Sequence, residues 1–159
     1  ITPLQLLRAA SAAVNGGKLI TPHFGVRAVS ADGKEEKVFE YSEKKGVIQK
    51  ETSETLRELL KAVVSEGSGR NCRIDGFSIG GKTATSEKLP RGNGKYISSF
   101  LGFSKAEDPT VMGIVLIDEP EGTYYGGTIA APVMRSVFQV ALPYLGISKD
   151  YTDSKESGS

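Results

Sequence analysis

The stretch GFSIGGKTATSE, residues 76–87, decides how this chain folds, because it fits two incompatible templates. Gly76, Gly81, Lys82 and Thr83 satisfy G-x-x-x-x-G-K-S/T, the phosphate-cradling loop of nucleotide-binding enzymes. Further on, VMGIVLIDEP ends an apolar run in Asp118 and Glu119, where such an enzyme keeps a magnesium-holding acid. A phosphate loop works because its backbone N–H groups and the positive end of the following helix converge on the phosphates, so a helix must begin at Lys82. The residues that follow are KTATSEKLPRGNGK. Pro90, Gly92 and Gly94 fall within the first turns and stop any useful helix. The preceding RNCRID is polar, unlike the buried apolar strand that leads into a phosphate loop. Pairing Lys82 in parallel with the strand ending at Asp118 would also need a crossover helix, and the intervening residues supply a strand and a turn. The stretch is therefore expected to be a β-strand, with Asp118 and Glu119 as ordinary polar residues closing another.

Working outward, KYISSFLGFS and TVMGIVLIDEP read as two further strands joined by a short hairpin connection at residues 105–109. Upstream, ITPLQLLRAASAAVNGGK has Thr2 as N-cap, Pro3 at the first helical position, and Leu4, Leu7, Ser11 and Val14 on one stripe. Asn15-Gly16-Gly17 stops this helix, which is expected to be buried. LITPHFGVRAVSADGKEEKVFEYS alternates and turns at Asp32-Gly33, the pattern of a hairpin of two short strands. ETSETLRELLKAVVSEGSG places Leu56, Leu59, Leu60, Val63 and Val64 at helical spacing, with Thr52 or Ser53 capping and Gly67 ending it. Downstream, APVMRSVFQVALPYLGI puts Pro132 in a first turn and Val133, Val137, Val140 and Ala141 on one face, with Pro143 near the stop. Residues 148–159 are polar and without periodicity, a flexible tail or linker after a domain spanning 1–147. Strands joined by short turns pair antiparallel, so the expected class is α+β, an antiparallel sheet flanked by helices.

At 159 residues and 38% hydrophobic content, the chain suits one domain with a genuine core. Twenty basic residues against nineteen acidic, scattered along the chain, argue against a nucleic-acid partner. No apolar run approaches the ~18–20 residues of a membrane span, and the N-terminus carries no signal pattern. The chain opens on Ile1, directly at a helix start, which reads as a piece of a longer protein. Cys72 is the lone cysteine, so no internal disulfide or cysteine-based metal cluster forms, and no metal or cofactor is expected. His23, the one histidine, follows Pro22 at a strand start; a Ser-His-Asp triad built on it has no local support.

If residues 79–85 are a strand, Lys82 and Ala84 project to one side and Thr83 and Thr85 to the other. A cation, two hydroxyls and an unhindered backbone suit a carboxylate and an acyl carbonyl. The segments GGKTATSEK, KYISSFLGF, VLIDEP and YYGGTIAAPVM, in that order, resemble the C-terminal half of a class B penicillin-binding protein transpeptidase domain, most like its sporulation-specific and cell-division members. The opening ITPLQLLRAASAAVNGGKLITPHF is similar to the helix that follows that family's second active-site motif. The family uses three motifs, S-x-x-K, S-x-N and K-S/T-G-S/T. Lys82, Thr83, Ala84 and Thr85 match the third, with Ala84 in place of the usual glycine. The resemblance implies an incomplete β-lactamase/transpeptidase-like fold. It implies that Lys82 adds positive potential, that Thr83 and Thr85 bind the carboxylate of a D-alanyl-D-alanine stem peptide or of a β-lactam, and that the Thr85 N–H is half of an oxyanion hole. It also implies an extracytoplasmic location at a bacterial membrane, anchored by a segment outside this chain, with division or sporulation proteins as partners of the intact parent.

S-x-N is absent, and S-x-x-K occurs once, at Ser42-Glu43-Lys44-Lys45, followed at once by Gly46 and set among charges. An activated serine needs its lysine held a helical turn away in a buried pocket, so Ser42 is a chance match. The chain alone is thus expected to be inactive, the strand-bearing part of a serine transpeptidase. A non-catalytic binding or scaffold module with the same fold, and, on the letters of residues 76–83 alone, a nucleotide-binding protein, are the alternatives. In the family, two of five central strands come from chain lying before Ile1. The strand TVMGIVLID is therefore expected to expose an unpaired apolar edge that another chain or a rearranged segment covers, a route to self-association.

Overall fold

The computed structural model of the chain describes residues 1–150, arranged as two compact units, Ile1–Ser53 and the remainder from Glu54. In the first unit, helix α1 spans Pro3–Val14. Thr2 caps it reciprocally: its Oγ1 accepts from Gln5 N at 3.2 Å, while Gln5 Oε1 accepts from Thr2 N at 2.9 Å. Contrary to the expected buried helix, only Ala12 and Val14 of α1 are buried and Leu4 lies half exposed. Strand β1 (Leu19–Ile20) pairs antiparallel with β4 (Glu43–Lys44), and β2 (Arg27–Val29) with β3 (Glu36–Val38). The expected hairpin is thus present, with a second short ladder at its base that the alternation pattern did not show.

Helix α2 covers Lys50–Ser65, so Thr52 and Ser53 lie inside it rather than capping it. Ser53 is fully buried because its Oγ accepts from Gly16 N at 2.9 Å. The hydroxyl read as a cap for α2 instead satisfies the backbone just past the end of α1.

The second unit is built on β5 (Ile79–Glu87), β6 (Tyr96–Ser104) and β7 (Val111–Asp118), an antiparallel sheet of order β5-β6-β7. The residues after Lys82 continue as strand and turn back at Lys88, whose N–H donates to Lys95 O at 2.8 Å; the helix that a phosphate loop needs is not there. Gly80 and Gly81 are dictated by aromatic rings: a Cβ would fall 2.2 Å from Phe103 Cζ at Gly80 and 2.5 Å from Phe100 Cζ at Gly81. Both rings are fully buried, each worth about 1.5–3 kcal/mol of transfer free energy.

Helix α3 spans Gly126–Tyr144 and packs across the sheet. It begins six residues before Pro132, which therefore sits in the helix interior rather than its first turn. The face assigned from the sequence is also corrected. Ala130, Ala131, Met134, Phe138 and Leu142 are buried, whereas Val133, Val137 and Val140 are 44%, 51% and 74% exposed. Both sets recur at helical spacing, so periodicity alone could not choose between them. The core adds Val64, Cys72, Ile74, Ile79 and Phe100, with Val111, Val115 and Ile117 packed against it.

Among the described residues β7 pairs with β6 alone, and no described strand pairs with its outer edge. Beyond the expected domain end, Asp150 N donates to Gly76 O at 2.8 Å and Asp150 Oδ2 accepts from Ser78 N at 2.7 Å. The rest of the expected tail, residues 151–159, lies outside the described residues.

Phe138→Ala should lower the unfolding free energy by about 3–5 kcal/mol, against less than about 0.5 kcal/mol for Val137→Ala. Urea unfolding followed by circular dichroism measures both, and equal losses would refute the buried face assigned to α3.

Candidate functional site

Strand β5 has β6 on one side and an open edge on the other. Since Lys88 N bonds Lys95 O across the ladder, counting back in steps of two turns the backbone groups of Ser86, Ala84 and Lys82 toward β6. Thr85 and Thr83 therefore present their N–H and C=O groups to the open edge.

The side chains are held from three directions. A single 3-10 turn, Arg70–Cys72, precedes β5, and Ser68 just before it brings its Oγ within 3.1 Å of Thr83 Oγ1. Asn71 Nδ2 donates to Gly127 O at 2.8 Å and pins this turn to the start of α3. Thr85 Oγ1 accepts from Gly126 N at 3.2 Å and donates to Tyr124 O at 3.4 Å. Together these segments enclose a cavity of about 570 Å³, whose wall includes Ser68, Arg70, Thr83, Ala84, Thr85 and Tyr125. Tyr125 is exposed, at the end of a stack in which Tyr96 and Tyr124 lie 4.1 Å apart and nearly parallel.

The Lys82 stem leaves β5 on the face opposite the Thr83 and Thr85 side chains, but its ammonium reaches round to the open edge. Its Nζ donates to Thr83 O at 2.8 Å, and among the described residues it has no carboxylate partner. Ala84 is exposed, its methyl on the Lys82 side of the strand, so the substitution for glycine leaves the hydroxyl side unobstructed. The structure thus brings Thr83, Ala84 and Thr85 together in the cavity wall and sets the Lys82 ammonium against the Thr83 carbonyl on the same edge of β5.

A larger cavity, about 710 Å³, lies near the root of β5 among Lys61, Arg73, Ser78, Glu107 and Asp150. Its charges answer one another: Lys61 pairs with Glu107, Ser78 Oγ donates to Glu107 at 3.1 Å, and Arg73 sits 3.8 Å from Asp75. Burial works to raise the Glu107 carboxyl, but the Lys61 and Ser78 hydrogen bonds hold it below its ordinary value. The smaller cavity, lined by the Thr83 and Thr85 hydroxyls, is therefore the candidate site.

The family model for the penicillin binding protein transpeptidase domain matches residues 1–139. The chain belongs to this transpeptidase family. Stage V sporulation protein D of Bacillus subtilis is 41% identical over 152 residues, covering 92% of this chain and 24% of that protein. The probable peptidoglycan D,D-transpeptidase PenA of Neisseria flavescens is 37% identical over 150 residues, covering 91% of this chain and 35% of its own length. Penicillin binding protein 3 of Mycobacterium tuberculosis, solved in complex with ampicillin, superposes with a TM-score of 0.81 at 23% identity, over 97% of this chain and 37% of that one, and shares the fold. The chain spans well under half of each.

The other candidates lie elsewhere in the chain. Ser42 Oγ sits 3.3 Å from Thr21 Oγ1 at the base of the hairpin, and Lys45 is exposed beside Glu43 at 3.7 Å, not in a buried pocket. His23 stacks on Tyr41 at 3.7 Å with its Nδ1 2.8 Å from Thr21 O. Asp118 and Glu119 pair with Lys88 at 2.9 and 2.7 Å, and Glu119 with Lys95 at 3.0 Å. The Lys88 hydrogen bond holds Glu119 below the usual carboxylate range and Glu119 in turn raises Lys88. Ser68, Arg70 and Asn71 belong to no motif in the sequence. No local spacing marks them, because they join the site through β5 and α3.

Cys72 is fully buried beneath the 3-10 turn, and burial pushes its thiol up to about 12. A disulfide-exchange reagent at pH 8 should find no reactive thiol in the native chain and one in denaturant. Rapid labelling without denaturant would show this packing to be wrong.

Proposed function

We propose that this chain forms the carboxylate-binding and oxyanion-supporting part of a serine D,D-transpeptidase that cross-links peptidoglycan and is acylated by penicillin. The observation that carries this is the open edge of β5, where the Thr85 N–H faces outward beside the immobilised hydroxyls of Thr83 and Thr85. In the acyl-transfer step, a serine outside the matched strand attacks the penultimate carbonyl of the stem peptide. Negative charge then develops on the carbonyl oxygen, and the Thr85 N–H is preorganised to receive it; losing such a donor costs about 2.7–4 kcal/mol of barrier. Thr83 and Thr85 hold the terminal carboxylate, and Lys82, its ammonium at the Thr83 carbonyl on the same edge, contributes positive potential toward the serine of the second motif.

No helix among the described residues is long and apolar enough to cross a membrane, and we place this domain outside the cytoplasm, anchored through a segment this chain does not include. Partners of the parent are the stem peptide or a β-lactam, together with sporulation or division proteins. Incubated with labelled penicillin, the chain should keep its unmodified mass. Joined to upstream sequence carrying both S-x-x-K and S-x-N, it should take up one penicillin. In that form Thr83→Val with Thr85→Val should slow acylation at least about tenfold, the loss of a charge-assisted hydrogen bond. An adduct on Ser42 in the chain alone would overturn the proposal.

The same reading bears on association. From Val111 to Ile117 strand β7 carries no charge, and antiparallel pairing of two copies about a twofold axis sets Val111 against Asp118 with no like charges opposed. Together with the exposed Val133, Val137, Val140 and Tyr144 stripe of α3, this edge lacks the charges that keep edges apart. We propose that a second copy pairs with it. Sedimentation should show concentration-dependent dimers that Leu116→Lys abolishes, and a chain that stays monomeric at high concentration would refute the pairing.

A further inference from the structure

We infer that Ser98 is a positioning residue for substrate binding: it holds the Tyr124 carbonyl and so leaves the one hydroxyl hydrogen of Thr85 free to turn to a carboxylate. This rests on the open edge of β5 being the carboxylate site.

Thr85 and Ser98 are partners in the β5-β6 ladder. Counting from the Lys88 to Lys95 bond, they meet at a position without backbone bonds between the strands, where opposed side chains on one face come closest. Both hydroxyls donate to the same acceptor, Tyr124 O. Ser98 is fully buried, so its hydroxyl must find a partner within the protein, and Tyr124 O is that partner. The backbone N–H groups at the start of α3 go elsewhere: Thr128 N and Ile129 N donate to Tyr125 O at 2.8 and 3.1 Å. Among the described residues, Tyr124 O thus takes its hydrogen bonds from the two hydroxyls.

The Thr85 bond is the loose one. Its Oγ1 lies 3.4 Å from Tyr124 O, beyond the ~2.7–2.8 Å usual for a hydroxyl donor. The oxygen itself is fixed from the other direction by Gly126 N, which donates to it at 3.2 Å. A threonine hydroxyl has a single hydrogen, and an ionised carboxylate only accepts, so Thr85 can bind one only by taking that hydrogen away from Tyr124 O. With Ser98 in place the carbonyl keeps a donor when this happens. Without Ser98, binding would leave the carbonyl unpaired, and the Thr85 hydrogen would be held back.

The test uses the chain joined to upstream sequence carrying S-x-x-K and S-x-N, with benzylpenicillin as free acid and as its neutral methyl ester. The wild type should be acylated at least about tenfold faster by the acid. Ser98→Ala should slow the acid about fivefold or more and leave the ester within about twofold, since only the acid draws on the Thr85 hydrogen. In a Thr85→Val background, which keeps the backbone N–H, Ser98→Ala should have no further effect. Ser98→Cys, a weaker donor, should fall between serine and alanine. An acid preference that survives Ser98→Ala, or a loss undiminished in the Thr85→Val background, would reduce Ser98 to packing and overturn the inference while leaving the site. A wild type that does not prefer the acid would show the site itself to be wrong, and the inference would fall with it. One measurement needs no change at Ser98: the carbon-13 shift of the Tyr124 carbonyl should hardly move in Thr85→Val, because Ser98 still donates to it. A shift typical of a lost hydrogen bond would equally overturn the inference.

Discussion

The second unit depends on how closely the start of α3 approaches the middle of the sheet. At Gly126 a Cβ would lie 2.3 Å from Ser99 O and 2.5 Å from Ala84 O, separations that no side chain tolerates. Gly127 is nearly as confined, 2.5 Å from Ser68 O. Two consecutive glycines therefore let the helix begin against the backbone of β5 and β6. The Gly126 N–H is then within reach of Thr85 Oγ1. Once that end is seated, the helix phase follows: small Ala130 and Ala131 keep the axis close, and Met134, Phe138 and Leu142 fall on the sheet side. The valines at 133, 137 and 140 are rotated outward by the same geometry.

That contact also makes the site. The cavity exists because the helix start, the turn carrying Arg70 and the open edge of β5 converge, and each is pinned to another by a hydrogen bond from Asn71, Ser68 or Thr85. Strand alternation then starts the threonine hydroxyls and the Lys82 stem on opposite faces of β5, and the Lys82 ammonium returns to the open edge at Thr83 O. At the root of the strand the opposite situation holds. The charges around Ser78 satisfy one another and hold the strand in place, Asp150 included.

Much of this was legible in the residues. Pro90, Gly92 and Gly94 rule out a helix after Lys82 whatever the surroundings, since the obstacle is local backbone chemistry. Thr2, Pro3 and Gln5 mark the start of α1 by the same kind of local rule, and the observed capping box obeys it. Ser53 shows where such rules stop. A serine at a helix start normally caps its own helix, but here the helix begins three residues earlier and the hydroxyl is taken by Gly16 N, thirty-seven positions away in the chain. The face of α3 failed for a related reason: two apolar stripes share the 3.6-residue period, and what separates them is which one meets Phe100 and Ile79.

By itself the sequence determined that residues 79–85 are a strand, that its neighbours pair antiparallel, and that Lys82, Thr83, Ala84 and Thr85 resemble a transpeptidase motif. These follow from backbone geometry and side-chain alternation, which act over a few residues. Only the tertiary structure decided that Arg70 and Ser68 stand with the threonines and that the valine stripe of α3 faces outward. Those outcomes depend on the closeness of helix to sheet at Gly126, a distance set by contacts between residues far apart in the chain.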